Sequence, residues 1–182
     1  MYHISTDPRC VKSCVLIRDT LLDLLAENGN NLEAISVSDV TEKATVSRST
    51  FYRHFDTLHD VLIWTSNQEV ETAVDSTPLF NDNYRLFCEN FFSYWVAHSD
   101  FLETLVAVGH AEYFLISLEK FLRKISKNLF VNSRLSKERQ GYLVSVWAAI
   151  VWSILKHWVI EGKRESGSTL ADIAYHNLPR PI

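Results

Sequence analysis

Apolar positions recur every three or four residues along most of the chain, which is the spacing of one face of an α-helix. The first stripe lies in residues 10–28 and precedes Gly29, a helix stop that favours left-handed backbone. Later segments with this period span residues 58–74, 82–98, 99–108, 110–130, 136–160 and 169–177. No segment alternates as a half-buried strand does. The pattern predicts an all-α protein of about nine helices, with more than about two thirds of its residues helical.

The segment between the first stripe and residue 58 predicts two short helices. Ser36 precedes Asp39 by three residues, which is the spacing of a capping box at a helix start. The sequence Thr45-Val46-Ser47 interrupts the helix that follows, and Ser47 can cap a second one over residues 48–55. Two short helices joined by a three-residue turn form a helix-turn-helix.

The second short helix has one apolar and one polar face. Phe51 and Phe55 are four residues apart and point together towards the core, so the remaining side chains are expected to be exposed. Arginine can donate two hydrogen bonds to a guanine edge, and hydroxyl and imidazole groups can bind phosphates. A solvated helix face has the same composition, so the pattern leaves both interpretations open. The side chains expected on this face are Arg48, Ser49, Thr50, Tyr52, Arg53 and His54.

Residues 35–62, ISVSDVTEKATVSRSTFYRHFDTLHDVL, resemble the DNA-binding signature of the TetR (tetracycline-repressor-like) family of bacterial regulators. Two flanking segments, TDPRCVKSCVLIRDTLLDLLAE and HWVIEGKRESGSTLADIA, are more weakly similar to this family. The matching positions are Ser36 before Val37, Asp39-Val40, Ala44, Val46-Ser47, Thr50-Phe51-Tyr52, His54-Phe55 and Val61-Leu62.

The resemblance implies a DNA-binding domain over residues 1–57 and an effector-binding and dimerisation domain over residues 58–182. It implies a recognition helix over residues 48–55 and a palindromic DNA operator as partner. Bases would be approached by Arg48, Ser49 and Tyr52, phosphates by Thr50 and His54, and either by Arg53. Phosphate would also be held by Ser36 and Ser38 at the start of the preceding helix.

Three positions depart from the family pattern. Thr45 stands where a turn glycine is usual, Thr41 where a small alanine is usual, and Leu58 where many members have a lysine that contacts phosphate. Residues 1–64 also carry 6 basic and 9 acidic side chains. Fewer phosphate contacts lower DNA affinity and flatten its salt dependence. These departures favour an alternative, a protein-interaction module or co-regulator with weak or lost DNA binding.

The carboxyl-terminal half is rich in aromatic residues, from Phe80 and Tyr84 to Trp158. Core packing explains most aromatic side chains. The resemblance implies in addition a pocket for a small apolar or aromatic effector. Binding of this effector would release the protein from its operator, as expected of a repressor. The side chains expected to line that pocket are Phe87, Phe91, Trp95 and Trp147.

Residues 136–160 form a helix that is apolar nearly all round, so it needs partners on two sides. The family resemblance implies that the last two helices form a four-helix homodimer interface, while a monomer core is the alternative. The residues expected in this interface are Trp147, Val151, Ile154 and Trp158.

The sequence motifs and the histidine–acid pairs predict neither an enzyme nor a protein that holds a metal or cofactor. No HExxH, GxSxG, GxGxxG or Walker-type motif occurs, and the pairs His98/Asp100 and His110/Glu112 are expected to diverge on helices. Net charge is −4, so any nucleic-acid contact must be a local patch. The apolar run at residues 142–155 is shorter than the ~20 residues of a membrane span. Without a visible signal peptide, and with three cysteines expected reduced, the chain is predicted to be cytoplasmic.

Overall fold

The computed structural model describes residues 2–3, 7–76, 84–130 and 135–177, and it is 80% helical. An isolated β-bridge joins Tyr2 to Phe55, and no strand forms within these ranges. The all-α prediction is confirmed. The helices in the described ranges are α1 Pro8–Glu27, α2 Val37–Lys43, α3 Arg48–His54, α4 Leu58–Asp75, α5 Tyr84–Ala97, α6 Asp100–Val108, α7 Glu112–Leu129, α8 Lys137–Ile160 and α9 Gly167–Asn177.

Side-chain caps and left-handed residues set the ends of α1. The Asp7 carboxylate accepts a hydrogen bond of 2.8 Å from the Arg9 backbone N–H at the helix start. Beyond the last turn, Gly29 and Asn30 have φ of 62° and 61°. The predicted left-handed stop is therefore confirmed, and it extends to asparagine, which tolerates this backbone region better than most residues.

The chain forms two compact units. The first comprises Met1–Ser66 and Ala107–Gly109, and the second Asn67–Val106 and His110–Ile182. The core of the first unit contains the apolar stripe of α1 and the apolar face of α3. Its fully buried side chains include Cys14, Ile17, Leu21, Leu25, Phe51 and Phe55.

In the second unit, α5 packs against α9 and α7 packs against α8. Aromatic rings fill its interior: Trp95 and Phe114 have centroids 4.9 Å apart, and Phe114 lies 5.2 Å from Trp152. A hydrogen-bonded cluster joins the loop after α8 to the start of α6, because the Lys163 ammonium donates to both Ser99 and Glu103. The bond from Lys163, with a second one from Ser99, holds the pKa of Glu103 below its ordinary value.

By length and composition, α8 could span a membrane. Its buried side chains lie on one face of the helix, as in a helix that packs on a protein core. They are Val144, Trp147, Ala148, Val151, Trp152, Leu155 and Trp158.

The cysteines Cys10, Cys14 and Cys88 are all free thiols, as expected. Cys14 and Cys88 are buried, whereas Cys10 is only half-buried. Burial, with the nearby Cys10, raises the pKa of the Cys14 thiol to about 11. Cys14 therefore stays protonated near neutral pH and packs as a small apolar side chain.

Candidate nucleic-acid interface and apolar cavity

The capping box predicted at the start of α2 is confirmed. The Ser36 hydroxyl accepts a hydrogen bond of 3.2 Å from the Asp39 N–H, and the Ser36 N–H donates one of 2.8 Å to the Asp39 carboxylate. The same hydroxyl donates to that carboxylate at 2.7 Å, and this bond is the main cause that lowers the pKa of Asp39. The phosphate contact predicted for Ser36 would therefore form beside a carboxylate that already engages the hydroxyl.

The turn between α2 and α3 places a β-branched residue in the left-handed region. Thr45 has φ of 53°, where glycine is the favoured residue. Thr41 is buried and donates a hydrogen bond of 3.1 Å to the Ser38 carbonyl. The larger side chain at position 41 is thus accommodated with its hydroxyl satisfied, whereas the threonine at position 45 imposes backbone strain.

Helix α3 presents the polar face that the sequence predicts, except at His54. Ser47 caps the helix by accepting a hydrogen bond of 3.1 Å from the Thr50 N–H. Phe51 is fully buried and fixes the rotation of the helix, which leaves Tyr52 55% exposed. Thr50 is half-buried at the edge of the face. Arg48, Ser49 and Arg53 are exposed with Tyr52.

Arg48 contacts the preceding helix. Its guanidinium donates a hydrogen bond to the hydroxyl of Ser38, ten residues earlier in the chain. The structure therefore brings together two predicted DNA-binding residues from α2 and α3. A guanidinium has five N–H donors, so this bond leaves others for a ligand.

His54 is a correction to the predicted face. Its side chain is only 2% exposed, and Nδ1 has no hydrogen-bond partner in the structure. The imidazole lies edge-on to Phe55 with centroids 6.5 Å apart, and the His54 carbonyl accepts a bond of 2.8 Å from the His3 N–H. The amino-terminal residues also meet this end of α3 through the isolated bridge between Tyr2 and Phe55. The side chain therefore lacks the surface position that the predicted phosphate contact needs.

Leu58 starts α4 and is only 8% exposed. The leucine at this position belongs to the core of the first unit, so the position does not present a side chain to solvent. Its burial removes apolar area from water, which stabilises the fold.

An apolar cavity of about 50 Å³ lies inside the second unit. Phe87, Phe91 and Trp147 line it, and the rings of Phe87 and Phe91 stack with centroids 5.9 Å apart. Trp95, the fourth side chain expected in the pocket, is fully buried but does not line this cavity. Phe80 and the side chain of Tyr84 lie outside the described residues. Other lining residues include Cys88, Leu118, Phe121 and Val151.

The residues expected in a dimer interface lie mainly inside the second unit. Trp147, Val151 and Trp158 are at most 9% exposed, and Ile154 is half-buried. They occupy the face of α8 that packs within the second unit, which the sequence pattern alone could not tell from the outer face. The outer face carries Tyr142, Val146, Ala149, Ser153 and Ile160, which are all exposed. Their spacing of three, four and seven residues was a signal in the sequence that pointed to this second stripe.

Neither acid–histidine pair has both residues on one helix as expected, since His98 lies between α5 and α6. His110 lies before α7 rather than on it, and its Nδ1 is 3.2 Å from the Glu112 carboxylate. The divergence expected for this pair assumed a helix at both residues and is wrong. Within the described ranges, no group of three histidine, cysteine or acidic side chains could hold a metal ion.

No family model and no curated protein matches the sequence. Two solved structures are similar over nearly the whole chain. A TetR transcriptional regulator from Streptococcus agalactiae 2603V has a TM-score of 0.62 at 18% identity, over 96% of this chain and 97% of that one. The dihydroxyacetone kinase operon activator DhaS has a TM-score of 0.58 at 21% identity, over 92% and 94%. The chain therefore has the TetR-family fold, all-α with a helix-turn-helix followed by a larger helical part.

Proposed function

We propose that this protein is a DNA-binding transcription regulator that binds a palindromic operator as a homodimer. The observation that carries the proposal is the exposed face of α3, where Arg48, Ser49, Tyr52 and Arg53 project from a helix held by the buried Phe51. Arginine side chains recognise guanine edges, and the hydroxyls of the face bind phosphates. Residues 1–57 would contact DNA, and residues 58–182 would bind the effector and form the dimer.

The dimer would use the outer face of α8. Tyr142 is 76% exposed, Val146 42% and Ile160 57%, on a helix whose opposite face is already covered. A second copy related by two-fold symmetry would bury this stripe on both chains at once. In such a dimer the two α3 helices would enter successive major grooves, which are ~34–36 Å apart.

The effector would be a small apolar molecule bound in the cavity lined by Phe87, Phe91 and Trp147. A volume of about 50 Å³ is small for a ligand site, so binding must enlarge the cavity. That expansion would favour a conformation with poor operator affinity, and a full switch needs a preference of ~5.5 kcal/mol for that state. We propose repression relieved by the effector. In a reporter strain, deletion of the gene should raise expression from the operator; lower expression would make this protein an activator, the role that the name of DhaS gives that protein.

The test is fluorescence anisotropy with labelled duplexes from the region upstream of the gene, titrated with protein at several salt concentrations. We expect tight binding to one palindrome, and affinity that falls steeply as salt rises. Arg53→Gln should weaken this binding, whereas Arg18→Gln, a control on α1 paired with Asp19, should leave it nearly unchanged. Binding that ignores salt, or equal binding of Arg53→Gln and wild type, would contradict the proposal.

Burial of Leu58 and the acidic balance of residues 1–64 favour a second candidate, a protein-interaction module that keeps the fold. This candidate predicts no salt-dependent binding to any upstream duplex by a folded dimer. The same titration therefore decides between the two candidates.

A further inference from the structure

A hydrogen bond connects the first turns of α2 and α3 within the first unit. Ser38 is the second residue of α2, and Arg48 is the first residue of α3. The Arg48 guanidinium donates through Nη2 to the Ser38 hydroxyl. Because a long arginine side chain otherwise samples many rotamers, this bond restricts where its charged group lies.

The Ser38 end of this bond is held by the start of α2. Ser38 lies between Ser36 and Asp39, the two residues that form the capping box. Its carbonyl accepts a hydrogen bond of 3.1 Å from the hydroxyl of Thr41, which is buried. Ser38 is half-buried, whereas Arg48 is exposed. The serine is therefore the fixed partner, and the arginine is the side chain that it orients.

Helix stability does not account for an arginine at position 48. The amino-terminal end of a helix carries partial positive charge, so a cation in the first turn is unfavourable. Arg48 lies in the first turn of α3, and its partner Ser38 lies in the first turn of α2. Residues that break such a local rule on an exposed face are expected to serve binding rather than folding.

The bond leaves Arg48 enough donors for a base. A guanidinium has five N–H groups, and recognition of a guanine edge uses two of them. The Ser38 hydroxyl accepts the bond, so its own proton stays available to a phosphate. Positioning of Arg48 and phosphate contact by Ser38 are therefore compatible, but they predict different results when the hydroxyl is removed.

We propose that Ser38 is a positioning residue that orients the Arg48 guanidinium towards one base pair in each half-site. This inference rests on the proposed function and gives Ser38 a role beyond the phosphate contact that the family resemblance implies. A side chain that is already ordered loses less entropy when it binds. Removal of the Ser38 hydroxyl therefore weakens binding to the preferred base pair more than binding to the other three.

The test is a set of anisotropy titrations on a panel of duplexes. The panel contains the operator with each base pair replaced in turn, symmetrically in both half-sites, and one unrelated duplex. Arg48→Ala identifies the base pair that Arg48 reads. Ser38→Ala should lower the preference at that same base pair about fivefold or more. Preferences at the other positions, and affinity for the unrelated duplex, should stay within about twofold of wild type.

Three further variants separate positioning from other roles. In an Arg48→Ala background, Ser38→Ala should not change the base preference further, because no guanidinium remains to be oriented. Ser38→Thr keeps a hydroxyl and should keep the preference. Ser13→Ala is the control, since the Ser13 hydroxyl bonds only within α1, to the Arg9 carbonyl at 3.2 Å. It should leave binding to the whole panel unchanged.

Three results would overturn the inference. Equal weakening on every duplex by Ser38→Ala would make Ser38 a phosphate contact. A lower urea midpoint with unchanged base preference would make the bond a structural one. Loss of the preference in Ser38→Thr as in Ser38→Ala would show that the hydroxyl does not orient Arg48.

Failure of this inference and failure of the proposed function give different results. If wild type binds no upstream duplex, the proposed function fails and this inference fails with it. If wild type binds its operator and any of the three results above is found, the inference about Ser38 fails alone.

Discussion

The Cβ atom that Gly167 lacks would lie 2.7 Å from the Cα of Ser93 and 2.9 Å from its backbone nitrogen. Real Cβ atoms do not approach backbone this closely, so the first turn of α9 meets α5 at a distance that only glycine permits. The contact depends on backbone atoms, which cannot rotate away as a flexible side chain can.

Gly167→Ala should therefore destabilise the second unit by ~1–3 kcal/mol, the usual effect of overpacking. The matched control is Gly141→Ala in α8, where a new Cβ would meet only the Arg123 guanidinium at 3.6 Å. Alanine there should stabilise the helix by up to ~1 kcal/mol. Urea unfolding followed by tryptophan fluorescence gives both values; equal effects of the two substitutions would contradict the close-approach argument.

Thr45→Gly should stabilise the protein, although glycine usually lowers stability. A non-glycine residue in the left-handed region destabilises the folded state by ~1–3 kcal/mol, and glycine removes this strain. Glycine also gives the unfolded chain more conformational freedom, which lowers the free energy of unfolding by ~0.4–1 kcal/mol. We expect a net increase of about 1 kcal/mol in the free energy of unfolding. Glu42→Gly, an exposed position inside α2, should lower it by a similar amount. A loss of stability in Thr45→Gly would show that the positive φ of Thr45 carries no strain.

The contribution of Glu103 to stability should depend on pH. Its pKa is lowered, first by the hydrogen bond from Lys163 and then by that from Ser99, so the folded state favours the carboxylate. The stabilisation is therefore present above the ordinary value of 4.5 and is lost as pH falls through the lowered pKa. Lys163→Met should lower stability at pH 7 by less than about 1 kcal/mol, because both side chains are partly exposed. Near pH 3 the difference from wild type should shrink, whereas Lys12→Met should show no such trend.

Arg48→Ala and His54→Ala should have different effects, although both residues belong to α3. Arg48→Ala should weaken operator binding by ~1–3 kcal/mol and relax the preference at one base pair in each half-site. Its urea midpoint should change little, since Arg48 is exposed. His54→Ala removes a buried ring and should lower the free energy of unfolding by about 2 kcal/mol. Anisotropy and urea titration of both variants separate the roles; an unchanged urea midpoint for His54→Ala would restore it to the binding face.

Val146→Glu should convert a homodimer into monomers, because it places a charge in the centre of the outer stripe of α8. Ile116→Glu is the control, since Ile116 is 53% exposed on α7 and lies off that stripe. Trp147→Glu should instead lower stability, because Trp147 is buried in the protomer. Light scattering at micromolar concentration gives the mass of each variant. A wild-type monomer, or a dimeric Val146→Glu variant, would contradict the proposed interface.

The helices were predictable because local signals mark their ends. The capping residues Ser36 and Ser47 precede α2 and α3, and Gly29 follows α1. The residues that mark each of these helix ends therefore lie close to it in the sequence. The exposed positions of Arg48, Ser49, Tyr52 and Arg53 on α3 were predictable for a similar reason, since the spacing of Phe51 and Phe55 indicates which side of the helix is buried.

The incorrect predictions concern features that depend on contacts between residues far apart in the sequence. His54 is buried although helical periodicity places it on the exposed face, and its backbone carbonyl accepts a hydrogen bond from His3, about fifty residues earlier, which no helical period contains. Both faces of α8 are apolar, so periodicity could not assign Trp147 and Val146 to the inner and outer faces.

Helix α4 belongs to both compact units, with the boundary after Ser66 at the midpoint of its 18 residues. If either unit lost its structure, its half of α4 would lose the packing of that unit, and isolated helices shorter than ~12–15 residues are marginal in water. The shared helix therefore links the melting of one unit to that of the other. Calorimetry should show a single endotherm whose calorimetric and van't Hoff enthalpies agree more closely than independent domains would allow.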